Sequence, residues 1–336
     1  TASLTFQAGR DIFIQAGISS TGSSLPLTFN ADSNNDNLGA IAVSDNLSTN
    51  GGALTFEDDI TFNGITAQTI NSGAAAIAFN GEVMLSNTSG VTLTASDYDI
   101  IFTKAVNSGN SYSLDATVKT WADAFLAHNT TTSYLATITS KMELAAAMAV
   151  VPTAGAWLGG SDEATEGTWK WVTGPEAGTI FWTTTLSTGI KGYVGTNGSF
   201  VNWNTGEPNN SSGNEDALQI RNNTDGFWND LPATISTLAS VVETRLSPSP
   251  LTINASTGKV TFGGAVGASN PLKTLTVTAA TTAINGGSVT TNADGTHGGS
   301  GTQSYSGNIT LGSASTTLSM LDTLTDFTLN SGKTIT

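Results

Sequence analysis

The strongest constraint in this chain is a three-residue unit that keeps returning. Leu-Thr-Phe begins at positions 4, 27 and 54, and related triplets follow at Ile12-Phe13-Ile14, Ile41-Ala42-Val43 and Ile77-Ala78-Phe79. An apolar-polar-apolar triplet has the period of two that sends its outer residues to one face of a strand. Gly, Asn, Asp and Ser separate the runs, so no run is long enough to make a stable strand pair by itself. The Leu-Thr-Phe spacing, in the low-to-middle twenties, is that of a stacked repeat. In such a repeat each coil adds short strands and its neighbours complete the hydrogen bonding. The spacing predicts a mainly β chain whose residues 1–109 begin a parallel, right-handed β-helix. The alternative is a β-sandwich, which asks for longer strands and more regular turns.

The pattern resumes over 247–336, in Leu251-Thr252-Ile253, Val260-Thr261-Phe262, Leu275-Thr276-Val277, Ile309-Thr310-Leu311 and Phe327-Thr328-Leu329. Ile101-Phe102-Thr103-Lys104-Ala105-Val106 echoes the run Val260 to Val266. The simplest account is one β-helix, 1–109 and 247–336, interrupted by a different domain over 110–246. Thr261-Phe262-Gly263-Gly264-Ala265-Val266 and Ala283-Ile284-Asn285-Gly286-Gly287-Ser288-Val289 resemble filamentous-haemagglutinin-like repeats of large secreted bacterial adhesins. The repetitive ends lead us to expect a piece of a longer chain.

All seven tryptophans fall between 121 and 228, so the middle region has its own core. Trp121, Ala124 and Phe125 lie at i, i+3, i+4, one face of a helix. A second helix is expected over Ser140–Val150, with Ser140 capping, Glu143 completing a capping box, and Met142, Ala145, Ala146 and Ala149 facing inward. Pro152 and Gly155 should end it. From Ala156 on, strands alternate with long polar loops.

Gly206 to Asp230 reads GEPNNSSGNEDALQIRNNTDGFWND. The side-chain oxygens of Glu207, Asn209, Glu215, Asn229 and Asp230 are concentrated there. Oxygen ligands suit a hard cation such as Ca2+, which takes ~6–8 of them. The chain has no cysteine, and neither His128 nor His297 lies in the stretch, which argues against zinc or copper.

Glu207-Pro208-Asn209, Glu215-Asp216 and Trp228-Asn229-Asp230, in this order, resemble the calcium and sugar site of C-type lectin-like domains. Trp157-Leu158-Gly159-Gly160 resembles that family's WIGL-type core strand. The segment Ser161 to Gly167 resembles its accessory calcium segment. The resemblance covers roughly 110–246 and implies an inserted α+β fold with neighbouring termini. It implies one Ca2+ held by Glu207, Asn209, Glu215, Asn229 and Asp230, whose shell two vicinal sugar hydroxyls complete. The Glu-Pro-Asn order implies mannose-type sugars, with Pro208 cis. A second calcium would take Asp162, Glu166, Asn210, Glu215 and Asp216. The family often has Asp where Asn210 stands, so weaker binding is expected there. Ala217 and Val242 stand where two of the family's cysteines are expected, so apolar packing must replace disulfides. Trp169 and Trp171, alternating in TWKWVTG, are expected in the core.

Composition limits the alternatives. Charged residues make up 11% of the chain and the net charge is −15, which opposes nucleic-acid binding and favours cations. With 38% hydrophobic residues in β-branched runs, packed structure is expected rather than disorder. No apolar run approaches the ~20 residues that span a bilayer, and no leader is read, so no membrane insertion is expected. The resulting reading is a non-enzymatic, calcium-dependent module for cell-surface or extracellular glycans on a bacterial surface adhesin. The second reading is a lectin-like domain that binds host or neighbouring-cell proteins or surfaces, with calcium only structural. Enzymatic action is third, since Asp58-Asp59 and Asp97-Tyr98-Asp99 form no acid-base constellation, and His128 and His297 lack acid-base neighbours. Ice binding is last: Thr-x-Thr runs occur, but no regular threonine ladder is visible. The sequon-like triplets at Asn46, Asn129 and Asn210 are expected by chance in so Asn/Ser/Thr-rich a chain.

Overall fold

The computed structural model describes residues 2–34, 39–183, 195–235, 237–292, 301–320, 327–329 and 334–336; His297 lies outside them. The chain divides into two compact units. Residues 1–109 and 246–336 form one, and Asn110–Arg245 the other.

The first unit is a parallel β-helix. Its triplets pair in register, Leu4-Thr5-Phe6 on Leu27-Thr28-Phe29, and Leu27-Thr28-Phe29 on Leu54-Thr55-Phe56. Three parallel faces result, and most coils contribute one short strand to each; on the second face the coil after Val106–Ser108 contributes only the isolated bridge at Val266 before Ser288–Thr291 and Thr317–Met320 pair. The first sheet has eight strands, beginning at Leu4–Gln7 and ending at Asn308–Leu311. The second contains Ile12–Ile14, Ile41–Val43, Ile60–Phe62, Val83–Leu85 and Val106–Ser108. The third runs from Ile18–Ser19 through Gln68–Gly73 and Val91–Ala95 to Leu251–Asn254, Thr274–Thr278, Thr302–Tyr305 and Phe327–Leu329. The echo noted in the sequence is a contact between adjacent coils: Phe102 pairs with Phe262 and Val106 with Val266.

Alternation fixes the inside of each coil. The outer residues of the triplets, such as Leu54 and Phe56, are fully buried, while Thr55 between them is half-buried. Because the register is kept, like residues stack on like. Phe6, Phe29, Phe56, Phe79, Phe102 and Phe262 form a column with neighbouring ring centroids 4.9–5.3 Å apart and planes within 14°. Offset stacking of this kind adds about 0.5–1.5 kcal/mol per pair beyond burial. The coil corners are equally exacting. A Cβ on Gly286 would lie 1.9 Å from the Gly264 carbonyl carbon, so the Gly-Gly phrases of successive coils exist to let backbone stack on backbone.

The second unit is built differently. Its first and last strands, Asn110–Lys119 and Leu238–Arg245, pair antiparallel, and Asn110 faces Arg245, so the two ends of this unit are adjacent. Leu238–Arg245 also pairs with Ser133–Leu135 and Ala156–Ser161. A second set of strands, Ala217–Ile220 and Trp228–Leu231, extends from Ala156–Ser161. Helix α1, Trp121–Ala127, is capped by Thr120, whose side chain accepts from the Asp123 amide. Trp121 and Ala124 are buried, and Phe125 packs against them. Helix α2, Lys141–Met148, starts where the capping box places it. The Ser140 Oγ accepts from the Glu143 amide at 3.2 Å, while the Glu143 carboxylate turns back to the amide and hydroxyl of Thr139.

The inward face of α2 differs from the expectation. Met142, Leu144, Ala147 and the stem-bearing Lys141 are buried; Ala145 and Ala146 are half-buried and Ala149 is exposed. The reason is size: Leu144 removes far more apolar surface from water than an alanine can, so the helix turns to bury it. Trp169 and Trp171 are core residues, each 1% exposed. They meet Phe181, Trp203 and Trp228 at centroid distances of 4.4–6.5 Å. Ala217 and Val242 are both buried, so packing occupies the two positions where the family resemblance implies cysteine.

Candidate functional site

The oxygen-rich loop leaves and rejoins the second unit beside the aromatic core. Trp228 is fully buried, and the strand Trp228–Leu231 that it anchors carries Asn229 and Asp230. On the other side, Trp228 accepts from the Asn204 amide at 2.9 Å and donates its own amide to Asn202 at 2.7 Å. The chain then turns at Gly206, whose φ of +94° is one that glycine adopts without strain. Glu207 follows, joined to Pro208 by a cis peptide bond.

Asp230 is the fixed point. It is 1% exposed, and its two oxygens accept from the backbone amides of Asn209 at 3.2 Å and Asn210 at 2.7 Å. These bonds draw the loop over the carboxylate. The Asn209 side-chain amide donates to Glu207. The Glu215 carboxylate accepts from the Ser211 amide at 2.7 Å, and the Glu215 amide donates to the Asn210 side chain at 3.1 Å. The Asn229 side chain donates to the Asp230 carbonyl at 2.8 Å. Glu207, Asn209, Glu215 and Asp230 are thus linked directly or through one neighbour, whereas the Asn229 amide is held to its own strand.

Three carboxylates in one loop repel one another. Burial, then the nearby Asp230, pushes Glu207 up to about 7, and Glu215 adds to this. Burial likewise raises Glu215, with Asp230 contributing. None of the ion pairs within 4.0 Å among the described residues involves Glu207, Glu215 or Asp230. Among the described residues, no three Asp, Glu, His or Cys side chains converge closely enough to hold a metal ion by themselves.

The second set of residues falls into two groups. Asp162 is 3% exposed and one of its oxygens accepts from the Gly167 amide at 2.8 Å. Its other oxygen is buried with no hydrogen-bond partner. Burial raises Asp162 to about 7, and Glu166 and Asp216 add repulsion. Asn210 and Glu215 bond to each other instead, and the adjacent positions 215 and 216 link the groups. An oxygen-only donor set with an orphaned buried carboxylate oxygen is chemically suited to a cation such as Ca2+.

The sequence reading missed a buried polar network below α2. Glu243 is 1% exposed. Its carboxylate accepts from Asn110 at 2.5 Å, the Tyr134 hydroxyl at 3.3 Å, and the amide and hydroxyl of Thr137 at 3.0 and 3.2 Å. Burial and then the neighbouring Glu143 push Glu243 up to about 8. The available signal was a single acid inside the apolar run Leu238-Ala-Ser-Val-Val-Glu243. His128, expected to lack an acidic neighbour, meets Asp115 at 2.8 Å; that pair forms across 13 positions of sequence.

The two-helix unit, with its looped sheet, aromatic core and acidic, amide-rich loop, is similar to C-type lectin-like domains. Residues 117–239 match the family described as "Lectin C-type domain", and the chain accordingly carries a C-type lectin-like domain. "Halomucin" of Haloquadratum walsbyi is 34% identical over 144 residues, which are 39% of this chain and 2% of that protein. "Hepatic lectin" of Gallus gallus is 36% identical over 78 residues, 23% of this chain and 28% of that protein. The chain thus spans less than a third of either relative. Among solved structures, the cow C-type carbohydrate-recognition domain of CD23 is 22% identical, covering 40% of this chain and 87% of that one, with a TM-score of 0.31. No helix among the described residues is long and apolar enough to cross a membrane, which says nothing of a β-barrel.

Proposed function

We propose that residues 110–246 are a calcium-dependent, mannose-type carbohydrate-binding module, set into a β-helix of 1–109 and 247–336. The observation that carries this reading is the loop in which the buried Asp230 carboxylate holds the Asn209 and Asn210 amides, with Glu207 bonded to the Asn209 side chain and Glu215 to that of Asn210. Glu207, Asn209, Glu215, Asn229 and Asp230 would hold the principal Ca2+. The pair Asp162 and Asp216, with Glu166, Asn210 and Glu215, would hold a second. The ion would neutralise the loop's charge and coordinate two vicinal sugar hydroxyls. The chain's own groups orient those hydroxyls: carboxylates of Glu207 and Glu215 accept from them, and amides of Asn209 and Asn229 donate to them. The protein so read works outside the cell, on a bacterial surface, as a glycan-binding adhesin rather than an enzyme.

The test is binding to mannose- and galactose-bearing beads, with calcium and with chelator. Wild-type protein should bind mannose only with calcium. Asn229→Ala should abolish binding, since loss of a hydrogen bond to a charged group costs about 1.5–3 kcal/mol and a metal ligand goes with it. Glu207→Gln with Asn209→Asp exchanges donor and acceptor around the two hydroxyls and should shift preference toward galactose. Calcium should also raise the melting temperature of this unit, because it binds the folded state. Sugar binding that survives Asn229→Ala unchanged places the sugar elsewhere. Retention of the calcium effect without any sugar binding favours the second reading, a protein- or surface-binding domain with structural calcium.

A further inference from the structure

The parallel register makes visible a pattern that the linear sequence hides. On the third sheet of the β-helix, Thr69 pairs with Thr92, Thr92 with Thr252, Thr252 with Thr276, Thr276 with Ser304 and Ser304 with Thr328. Six successive coils therefore put a hydroxyl at the same outward position. Two residues along each strand, Asn71, Thr94, Asn254 and Thr278 form a second column in the same register. All ten are exposed or half-buried, and the residues between them point into the core. The absence of a threonine ladder, read from the sequence, is thus corrected: the ladder runs across coils, and from Thr92 to Thr252 it passes over 110–245 without a gap.

Strand propensity alone puts threonine on exposed β positions, and the other two faces control for it. On the first sheet the equivalent column reads Thr5, Thr28, Thr55, Ala78, Ile101, Thr261, Ala283, Thr310. On the second it reads Phe13, Ala42, Thr61, Met84, Asn107. Coil geometry is shared by all three, yet only the third column keeps a hydroxyl over six coils in succession, from Thr69 to Thr328; the first keeps three, Thr5 to Thr55, before Ala78 and Ile101 interrupt it.

We propose that this face of the β-helix binds ice. The columns repeat every ~4.7–4.9 Å across the strands and ~6.6–6.8 Å along them, two strand rises. These repeats lie close to distances between water oxygens in the ice lattice, an extended ligand that also repeats in two dimensions. Each threonine offers a hydroxyl to hydrogen-bond lattice water and a methyl that cages it. Threonine is β-branched and stiff at χ1, so ordering the array costs little entropy. Charge agrees: the two columns carry none, on a chain of net charge −15, which suits a neutral lattice and opposes polyions. The columns also lack the aromatic rings on which a sugar chain would stack.

The test uses the whole chain, slowly frozen in dilute solution, and measures its enrichment in the ice fraction and its inhibition of ice recrystallisation. Wild-type protein should be enriched in ice, with chelator as without. Thr252→Lys with Thr276→Lys, in the middle of the array, should lower enrichment by about tenfold or more, since each ammonium must be desolvated against ice. Thr252→Ser with Thr276→Ser removes only methyl groups and should give an intermediate loss in a protein of unchanged melting temperature. Thr55→Lys on the first sheet should bind ice like wild type. Exclusion of the wild type from ice overturns the proposal. So does enrichment that the Thr252 and Thr276 variants leave intact, or that chelator alone removes.

Discussion

In the β-helical unit, Phe29, Phe56 and Phe79 hold one place in successive coils and lie parallel to one another. In the lectin-like unit, Trp171, Phe181 and Trp228 come from separate strands, and Trp228 meets the other two edge-on. The first arrangement follows from repetition: once the register is set, each of these rings stacks on one neighbour above and one below, and Phe62 meets Phe56 and Phe79 edge-on. The second depends on several unrelated segments arriving together. Repetition yields a flat, regular exterior, whereas convergence leaves long loops free to gather Glu207, Glu215 and Asp230. Each unit's candidate ligand has the geometry of its own construction, an extended lattice for one and a single ion with a sugar for the other.

The comparison breaks first at the rings. Phe56→Ala should cost about 3–5 kcal/mol, because the site is fully buried between two stacked neighbours. Tryptophan occurs only between 121 and 228, so its fluorescence reports the lectin-like unit. We expect the denaturant midpoint followed by far-UV circular dichroism to fall in its β-helical phase, with the fluorescence midpoint unmoved. Equal shifts in both signals would mean the two units unfold as one.

A smaller effect concerns Glu243. Its folded value near 8 lies above its ordinary value of 4.5. Between those limits the folded unit holds a proton that the unfolded chain releases, so stability should fall as pH rises from about 5 to 8. Above that range the buried charge opposes folding fully. Glu207 and Asp162, both raised to about 7, add to the same slope, so Glu243→Gln should reduce it without removing it and stabilise the unit at pH 9 by on the order of 1–3 kcal/mol. Fluorescence-monitored melts at pH 6 and pH 9 would measure it, and a wild type equally stable at both values would contradict the assignment. The β-helical signal should show no such slope from this group.

The smallest expected effect is at the helix caps. Ser140→Ala removes the acceptor for the Glu143 amide and should cost about 1 kcal/mol. The change should appear in the fluorescence transition alone.

How far the sequence could be read follows the same division. Leu54-Thr55-Phe56 was legible because alternation and spacing both recur, so one coil predicts the next. The loop from Gly206 to Asp230 was legible as chemistry, since its oxygens are concentrated in one short stretch. What it does with them was not: that Asp230 is pinned by the amides of Asn209 and Asn210, while Asn229 turns to its own strand, depends on how the loop closes. The face of α2 was not legible from alanine spacing, because the single large side chain, Leu144, decides which side is buried. Glu243 and its partners Asn110, Tyr134 and Thr137 come from three places in the chain, and no local pattern joins them. The threonine columns escaped for a related reason, since coils of unequal length hide a register that only strand pairing restores.

The pairing of Asn110 with Arg245 has a consequence for the order of folding. The Phe102–Phe262 contact is needed to continue the ring column, yet its partners are separated by the whole middle unit. Were 110–245 an open loop, closing it would carry an entropic cost that rises by roughly 0.6 kcal/mol for each doubling of length. Once the strands Asn110–Lys119 and Leu238–Arg245 have paired, that distance along the chain becomes a short one in space. The lectin-like unit is then a folding clamp, and coils after 246 should assemble only when it has closed. Stopped-flow refolding should show tryptophan fluorescence recovering before the last β-helical signal, and a variant that unpairs those two strands should slow the later phase as well as the earlier one.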